Sequence, residues 1–334
     1  MTRQNVVHLI DDATAGGVMR AVDYLTTYPD LSRMAQHKIV KTRKSAWSAT
    51  SHKAEIIVSH TTQSWRGLPG LISLRAKNPS ARLIHVEHSY TGAFMEENVR
   101  HTGRFLAMLR LGYAMFDHVV AVSQTQADWM LKNALVKPAI LHVIPPMVDV
   151  SPFEAVRPVV APPKHIGAIG RLERQKGFDI LIKGFRSWPD AEARLYIYGD
   201  GAERRALQEL AAEDARIVFK GHVVDPAKAM STVSCIAMPS RWEAFGLVCF
   251  EAHAAGRAVI CADVDGLRDA GRGITSKVRE NTPAEWARLF RELPDAAPIR
   301  QTDPFDDPGK ARKDWSRRWS KLLAQDAQDG SDLG

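Results

Sequence analysis

The sequence lacks the features that mark secreted and membrane-spanning chains. It has only three cysteines in 334 residues, none in a C-x-x-C spacing, which argues against a disulfide framework or a cysteine metal cluster. The most apolar helical stretch, Phe105–Phe116, is interrupted by Arg110 and falls short of the roughly 20 residues that span a bilayer. No basic start followed by a long apolar run opens the chain. We therefore expect a cytoplasmic protein, soluble or peripheral, whose cysteines are reduced and buried: Cys235, Cys249 and Cys261.

Negative charge is scarce in one stretch. Between Leu31 and Arg82 a single acid, Glu55, stands against ten basic residues: Arg33, Lys38, Lys41, Arg43, Lys44, Lys53, Arg66, Arg75, Lys77 and Arg82. Such a stretch is typical of a solvated basic face without a partner, or of a surface that attracts anionic lipid headgroups. Nucleic acid is not expected as a partner, because no stacking aromatics are interleaved with the basic residues.

Apolar residues make up 45% of the chain and charged residues 25%, enough for two cores of about 150 residues each. Short β-branched runs alternate with amphipathic stretches throughout, which is typical of parallel sheets with crossover helices. The predicted strands are Asn5–Asp11, His37–Thr42, Glu55–His60, Arg82–Glu87, His118–Ser123, Ile140–Ile144, Lys164–Ile169, Ala193–Tyr198, Ile217–Lys220, Cys235–Met238 and Ala258–Cys261. The predicted helices of the first half are Gly17–Tyr28, Arg66–Lys77, Thr102–Phe116 and Gln124–Leu135.

A proline-rich stretch divides these two series of elements. It contains Pro145, Pro146, Pro158, Pro162 and Pro163, and proline continues neither a helix nor a central strand. We expect an α/β fold of two doubly wound, Rossmann-like domains, 1–150 and 164–307, joined by a linker near 146–163. Their sheets would face a central cleft. Trp315, Trp319 and Leu322 are spaced as on one helix face, so residues 308–325 should form a closing helix on the first domain.

Two carboxylates stand out in RWEAFGLVCFEAHAAG. Phe245 and Gly246 would open a helix whose free amides can meet phosphate or sugar oxygens. Glu243 and Glu251 are eight positions apart, at most about 12 Å along a helix. They would therefore serve different ends of one extended ligand. The same spacing also occurs on plain solvated helix faces.

The segment MPSRWEAFGLVCFEAHAAGRAVI resembles the donor-site segment of the family-four retaining glycosyltransferases, which have the GT-B fold. Further matches stand in the family's order in GAIGRLERQKGFDILIKGF, YIYGDGAERRALQEL and FKGHVVDPAKAM. The first half contributes a double glycine after the first strand, VVAVSQTQADWML and VIPPMVD. An ordered set of motifs is far more specific than any one of them.

Arg171 and Lys176 follow the strand HIGAIG and can neutralise a diphosphate. An ordinary basic loop would look the same. The resemblance implies that this pair stabilises the departing nucleoside diphosphate, that Glu243 binds hydroxyls of the donor hexose and that Glu251 holds the ribose diol. It also implies donor contacts for Phe245, Gly246, Leu247, Val248, Gly199, Gly221, His222 and Val223.

Gly16 and Gly17 stand between the first strand and a helix, where backbone amides can approach a phosphate. A glycine pair also occurs in a plain turn that binds no ligand. The resemblance implies that this loop lies against donor phosphate and acceptor, and that His88 contacts the transferred sugar. A histidine beside a strand end is often structural, and His85 is a rival. Glu87 departs from the family's usual pattern.

The resemblance implies transfer of a hexose from a UDP- or GDP-sugar to a glycan or lipid-linked acceptor, with retention of configuration and no cofactor. Bacterial exopolysaccharide, lipopolysaccharide or glycolipid assembly is the expected setting. Asp263 and Asp265 match the D-x-D sequence that binds a metal in another glycosyltransferase fold. Here the two residues come after the glutamate motif in the chain, and no metal is expected. A sugar-nucleotide epimerase on the same fold and a non-catalytic sugar-nucleotide-binding subunit stay open as alternatives.

Overall fold

The computed structural model describes residues 3–12, 16–43, 49–156, 164–270, 275–293 and 308–325. The chain divides into two compact units, one made of residues 1–148 with 307–334 and the other of residues 149–306. The predicted linker prolines Pro158, Pro162 and Pro163 lie outside the described residues, as does the basic residue Lys44. Among the described helices, none has the length and apolar character that crossing a membrane requires.

The first unit is a parallel α/β sheet with helical crossovers. Its elements in chain order are β1 (Gln4–Ile10), α1 (Gly17–Thr27), α2 (Pro29–Met34), β2 (Ala35–Lys41), β3 (Ile56–Ser59), α3 (Leu68–Lys77), β4 (Arg82–Glu87), α4 (Gly92–Asn98), α5 (Thr102–Tyr113), β5 (His118–Ala121), α6 (Gln124–Lys132) and β6 (Leu141–Val143). The described strands run in the order β2-β1-β3-β4-β5-β6, so the direction of winding reverses between β1 and β3.

Burial along these strands follows their place in the sheet. Every residue of β3, β4 and β5 is buried, as expected for parallel strands covered on both faces. The edge strand β2 has only its first residue buried and carries exposed Lys38 and Lys41. Lysines on an edge discourage pairing with another chain.

The second unit is also a parallel α/β sheet. Its elements are α7 (Ser151–Glu154), β7 (His165–Ile169), α8 (Phe178–Arg186), β8 (Arg194–Tyr198), α9 (Arg204–Ala211), β9 (Ile217–Gly221), α10 (Pro226–Ser231), β10 (Cys235–Met238), α11 (Leu247–Ala254), β11 (Ala258–Ala262), α12 (Leu267–Ala270), β12 (Thr275–Val278) and α13 (Pro283–Arg291). The described strands run β12-β11-β10-β7-β8-β9, the order of a dinucleotide-binding Rossmann sheet, with the winding reversing between β7 and β10.

The last helix, α14 (Pro308–Ala324), belongs to the first unit. It contacts α2, and its residues Trp315 and Trp319 are 4% and 5% exposed. The Trp315 ring lies 5.4 Å from the ring of Tyr24 and 5.3 Å from that of Tyr28. The carbonyl of Leu323 accepts a hydrogen bond from the guanidinium of Arg82. Aromatic burial and a buried hydrogen bond therefore hold this helix on the first unit.

The predicted fold class, α/β with two doubly wound sheets, is confirmed. All eleven predicted strands are present, most with ends that differ by one or two residues. The strand β12 was missed because Thr275–Val278 has a single apolar residue at its end and so no strand pattern. The three cysteines are free and buried, as predicted.

Arg75 and Arg82 do not belong to an exposed basic face. Arg82 is 7% exposed and bound to α14, and Arg75 forms a 2.7 Å ion pair with Asp117. Exposed basic side chains do remain along this stretch: Arg33, Lys38, Lys41, Arg43, Lys53, Arg66 and Lys77.

Four imidazoles form a row across the adjacent strands β2, β1, β3 and β4 of the first unit. Nδ1 of His37 in β2 lies 3.0 Å from Nε2 of His8 in β1, and Nδ1 of His8 lies 3.1 Å from Nε2 of His60 just after β3. Nδ1 of His60 lies 3.0 Å from Nε2 of His88 just after β4. We call these four residues the histidine row.

We expect substitution of Trp315 by alanine to destabilise the first unit by about 3 to 5 kcal/mol, because it empties a site packed against two tyrosines. The measurement is denaturant unfolding, followed by a probe of the first unit. Lys313, which is exposed on the same helix, provides the control, and Lys313→Ala should change little. Equal unfolding free energies for W315A and K313A would contradict the packing of α14 described here.

The histidine row makes the first unit sensitive to acid. Burial, followed by the charge of His37, lowers the pKa of His8 to about 3, and burial lowers the pKa of His88 to about 4. The unfolded rings have a pKa near 6.5, so below about pH 6.5 the unfolded chain binds more protons than the folded chain and stability falls. At about pH 5 the rings of His8 and His88 should each cost about 2 kcal/mol relative to neutral pH.

The measurement is urea unfolding of the first unit at about pH 5, 7 and 8. Between about pH 7 and 8 stability should change little, because the rings are neutral in the folded chain and mostly neutral in the unfolded chain. A first unit equally stable at pH 5 and pH 7 would refute this account.

Candidate functional site

Two predicted site residues meet where the winding of the second sheet reverses. Lys176 follows β7 and Glu243 follows β10, and these strands are neighbours in the sheet. The ammonium of Lys176 forms an ion pair with Oε2 of Glu243, with side-chain exposures of 17% and 14%. The hydroxyl of Ser240 donates to the same oxygen over 3.2 Å. Since ligands of such sheets bind at the carboxyl ends of strands beside this point, this charge pair marks the candidate site.

Close backbone contacts fix the two loops that carry the pair. Gly177 has φ +65°, and a Cβ there would lie 2.1 Å from the carbonyl oxygen of Pro239. A Cβ on Gly266 would lie 2.0 Å from the carbonyl oxygen of Ala244. Both positions therefore require glycine. The loop after β10 is thereby held between the turn at Gly177 and the turn at Gly266.

An arginine ties the same two loops together. The guanidinium of Arg241 donates to both carboxylate oxygens of Asp179 in α8, over 2.8 and 2.7 Å, and to the carbonyl of Arg174 over 2.8 Å. Planar bidentate pairs of this kind hold a defined geometry. The pKa of the Asp179 carboxyl is lowered: burial raises it, but the hydrogen bonds and charge of Arg241 outweigh burial. Sequence reasoning missed this pair, although Arg241 stands inside the quoted glutamate motif.

The other predicted residues of the second unit follow successive strands. Arg171 follows β7, is exposed, and forms no side-chain hydrogen bond or ion pair with any residue in the described ranges. Gly199 follows β8 with φ +145°, and a Cβ there would lie 1.8 Å from the carbonyl oxygen of Gly170. The backbone N–H of Gly199 donates to the carbonyl of Gly221 at the end of β9 over 2.7 Å. His222 is exposed and Val223 partly buried in the turn that follows.

The strands β10, β7, β8 and β9 are adjacent in that order. Glu243, the Arg171 and Lys176 turn, Gly199 and the turn at 221–223 therefore stand along one edge of the sheet. This row is long enough for an extended ligand with several chemically different parts.

The predicted helix after the glutamate loop is α11, and it begins at Leu247, directly after Gly246 with φ +98°. Phe245 is buried, whereas Leu247 and Val248 in the first turn are half-buried. Glu251 lies in the same helix and is 0% exposed. This carboxylate is thus inside the protein.

The two carboxylates of the D-x-D sequence serve the protein itself. Asp263 pairs with Arg268 at 3.2 Å. Oδ2 of Asp265 lies 3.4 Å from the backbone nitrogen of Glu243 and faces the glutamate loop. Over the residues with described positions, no group of three or more histidine, cysteine or acidic side chains is placed to hold a metal ion.

In the first unit, Glu87 shapes the loop that carries His88. Glu87 is 1% exposed and accepts hydrogen bonds from the backbone nitrogens of Ser89 and Tyr90, over 2.7 and 3.0 Å, and from the hydroxyl of Tyr113 over 2.7 Å. Burial raises the pKa of the Glu87 carboxyl. The hydrogen bond and charge of His85, with the hydrogen bonds from Tyr113 and Ser89, lower this pKa by more, so the net shift is downward. The departure from the family pattern therefore has a structural cause, since this carboxylate holds its loop from within.

The structure separates the two rival histidines. His85 is 1% exposed, and its Nε2 lies 3.3 Å from Oε2 of Glu87. His88 is half-buried and lines a small, mostly apolar pocket together with His60, residues of α1, and Trp315 and Trp319. His88 is thus the ring of the two that reaches a pocket.

Gly16 and Gly17 begin a helix, as predicted. Gly16 is the N-cap of α1 in an extended conformation, and Gly17 is its first residue. Residues 13–15, which precede them, lie outside the described residues.

Curated proteins similar to this chain are glycosyltransferases and a related synthase. Mannosylfructose-phosphate synthase of Agrobacterium fabrum is 27% identical over 180 residues, which are 46% of this chain and 39% of that protein. D-inositol 3-phosphate glycosyltransferase of Actinosynnema mirum is 28% identical over 235 residues, 62% of this chain and 56% of that protein. The chain thus spans about half the length of these relatives.

Solved structures match nearly the whole chain at low identity. HepE of Anabaena, in complex with UDP and glucose, has a TM-score of 0.72 at 17% identity and covers 97% of this chain and 100% of its own. Sucrose-phosphate synthase of Thermosynechococcus elongatus has a TM-score of 0.68 at 20% identity. The match covers 96% of this chain and 95% of the synthase chain. This likeness confirms the GT-B fold class.

Two family models together match most of the sequence. The model described as glycosyl transferases group 1 matches residues 163–295, and the model described as glycosyltransferase family 4 matches residues 6–152. The first range contains the lysine and glutamate pair, and the second contains the histidine row. The chain therefore belongs to the group 1, family 4 glycosyltransferases.

Proposed function

We propose that this protein transfers a hexose from a UDP- or GDP-sugar to a glycan or lipid-linked acceptor, with retention of configuration and without a metal. The observation that supports this most is the row of predicted donor residues at the ends of four adjacent strands. Two similar solved structures support a nucleotide-sugar donor, since the HepE structures contain UDP with glucose in one case and UDP-glucose in another.

In this proposal a bound donor replaces the partners within the ion pair. The Lys176 ammonium neutralises the Glu243 carboxylate, and this offsets the cost of holding two charges half-buried. A bound donor supplies a diphosphate for Lys176 and sugar hydroxyls for Glu243, so each side chain exchanges its partner for a ligand group. Arg171, which is exposed on the same turn, adds a second cation for the diphosphate.

The remaining predicted residues take the other parts of the donor. Gly199 and the turn at 221–223 would lie against the nucleotide base, and Glu251 would hold the ribose diol. The Phe245–Val248 amides would meet the sugar or its phosphate, because a helix N-terminus offers free N–H groups. In the first unit, residues 1–148 with α14, the Gly16 and Gly17 helix start and His88 would meet the sugar and the acceptor.

The reaction proposed is transfer on one face of the sugar. The bond between the anomeric carbon and the diphosphate oxygen breaks while the acceptor oxygen bonds the anomeric carbon from the same side. The leaving phosphate oxygen takes the acceptor's proton. Arg171 and Lys176 stabilise the charge that develops on the diphosphate, the role that a metal ion plays in other transferases.

We expect Lys176→Ala to lower turnover by about 100- to 1000-fold, since it removes a preorganised charge at the leaving group. Glu243→Gln should mainly raise KM for the sugar nucleotide. The measurement is nucleotide release from a panel of UDP- and GDP-sugars with acceptor, in the presence of a chelator. Lys183, exposed on α8, is the matched control, and Lys183→Ala should keep wild-type turnover.

Unchanged turnover in K176A would contradict this assignment, and loss of wild-type turnover in the chelator would contradict metal-free transfer. Nucleotide release only when acceptor is present supports transfer. Conversion of the donor to its epimer without nucleotide release would identify an epimerase. Absence of donor hydrolysis and of transfer would identify a non-catalytic binding subunit.

We further propose that the first unit attaches to anionic membrane surfaces, where a lipid-linked acceptor would lie. The support is the exposed basic side chains of β2 and the segments that follow it, among them Lys38, Lys41, Arg43 and Lys53. Each basic residue near such a surface contributes about 1 kcal/mol of attraction. The cytoplasmic face of a bacterial membrane would be the setting, in polysaccharide or glycolipid assembly.

We expect the protein to cosediment with vesicles that contain anionic lipid at low salt and to be released at high salt. The double variant Lys38→Glu, Lys41→Glu should weaken this binding by about tenfold or more. Arg205→Glu, which reverses a charge exposed on α9, is the control and should bind as the wild type does. Equal binding to neutral and anionic vesicles, or none at low salt, would contradict the proposal.

A further inference from the structure

The backbone of Glu243 is held on both sides by the turn between β11 and α12. The backbone N–H of Glu243 donates to Oδ2 of Asp265 over 3.4 Å, and the carbonyl of Glu243 accepts from the backbone N–H of Gly266 over 2.9 Å. Two consecutive residues of one turn therefore bind the N–H and the C=O of a single residue. The contact from Gly266 uses backbone atoms alone, whereas the contact from Asp265 depends on its side chain.

The residues just before Glu243 are held from a different side. The backbone N–H of Arg241 donates to the carbonyl of Gln175 over 2.8 Å, and the carbonyl of Trp242 accepts from Nε2 of Gln175 over 3.1 Å. These contacts fix the start of the loop on the turn after β7 and end at Trp242. Asp265 provides the side-chain contact to the backbone of Glu243 itself.

Asp265 has a strained backbone conformation. Its φ is +36°, in a region that glycine adopts readily and that other residues seldom adopt. Among the described residues, the other non-glycine residues with positive φ are Ala134 and Ala212. Both are exposed at the C-terminal ends of α6 and α9, where a positive φ commonly ends a helix. Asp265 is 6% exposed and follows a strand, so the end of a helix does not explain its conformation.

The contact to Glu243 gives this strain a reason. A strained backbone persists where the surrounding structure requires it, and such residues cluster at functional sites. A glycine at position 265 would relieve the strain but would leave no side-chain oxygen for the Glu243 N–H. Aspartate and asparagine are the residues that tolerate a positive φ and also place an oxygen close to the backbone. The Glu243 held in this way pairs with Lys176 and accepts from Ser240.

We propose that Asp265 is a positioning residue for Glu243. Its side chain fixes the N–H of Glu243, and with it the direction in which the Glu243 carboxylate faces Lys176 and a bound hexose. Asp265 acts through Glu243 and contacts no reacting atom. The contact of Glu243 with the hexose rests on the proposed function. The contact between Asp265 and the Glu243 N–H does not, since it lies within the protein itself.

Three variants separate the side-chain contact from the backbone conformation. Asp265→Gly removes the carboxylate and adopts a positive φ without strain, so the fold should persist. Asp265→Asn tolerates the same conformation and keeps a side-chain oxygen that can accept from the Glu243 N–H. Ala212→Gly is the matched control, because it also places glycine at a positive φ in the second unit, but at the exposed end of α9.

The first measurement is hydrogen exchange at the backbone amide of Glu243, followed by NMR of the nitrogen-labelled full chain without substrate. D265G should exchange this hydrogen about tenfold faster than the wild type, the effect of one lost hydrogen bond. D265N and A212G should exchange it at the wild-type rate. Unchanged exchange in folded D265G would overturn the proposal. Fast exchange in the wild type or in D265N would also overturn it, even if D265G failed to fold.

A kinetic measurement tests the consequence for the donor. D265G should raise KM for the sugar nucleotide by about tenfold, with a smaller change in kcat, because a displaced Glu243 binds the hexose less well. Affinity for UDP or GDP alone should stay at the wild-type value, since these ligands lack the hexose. D265N and A212G should keep the wild-type KM. A wild-type chain inactive with every sugar nucleotide would refute the proposed function and leave the exchange result intact. Fast exchange in D265G with an unchanged KM would refute the positioning role.

Discussion

The constraint on which the candidate site depends is the close approach of two backbone turns at the ends of β7 and β10. Gly177 lies against Pro239, and Gly266 lies against Ala244, at distances that leave no space for a side chain. Because these contacts are between backbone atoms, the loops have little freedom to shift. They bring Lys176 and Glu243 together and keep both half-buried, where charges act more strongly than in water.

Holding two charges half-buried costs free energy, and neighbouring groups offset this cost. The half-buried ammonium and carboxylate stabilise each other, and the neighbouring pair of Arg241 and Asp179 holds the two loops together. In the proposed reaction the same two side chains turn to the ligand without a change in the loops. The rigid backbone thus supports a site whose charges can change partners.

The first unit uses buried polar groups in a different way. Glu87 is an ionised carboxylate inside the sheet, held by backbone amides and a tyrosine, and it shapes the loop from which His88 extends. The ring of His88 in turn contacts His60, the next member of the histidine row. Buried polar groups that are hydrogen-bonded favour one arrangement over others, so these contacts define the loop at His88.

The sequence by itself determined the fold class and nearly all the strands, since period-two and period-3.6 patterns and glycine positions are local properties. It placed Lys176 and Glu243 on their loops, because residues after parallel strands must stand at one edge of the sheet. Only the tertiary structure decided that these two form an ion pair, that Arg82 is buried under Leu323, and that His85 is internal while His88 lines a pocket. The contacts within the histidine row join residues 29, 52 and 28 positions apart, and no local pattern specifies such pairings. They arise from the strand order, which the packing of the whole sheet decides.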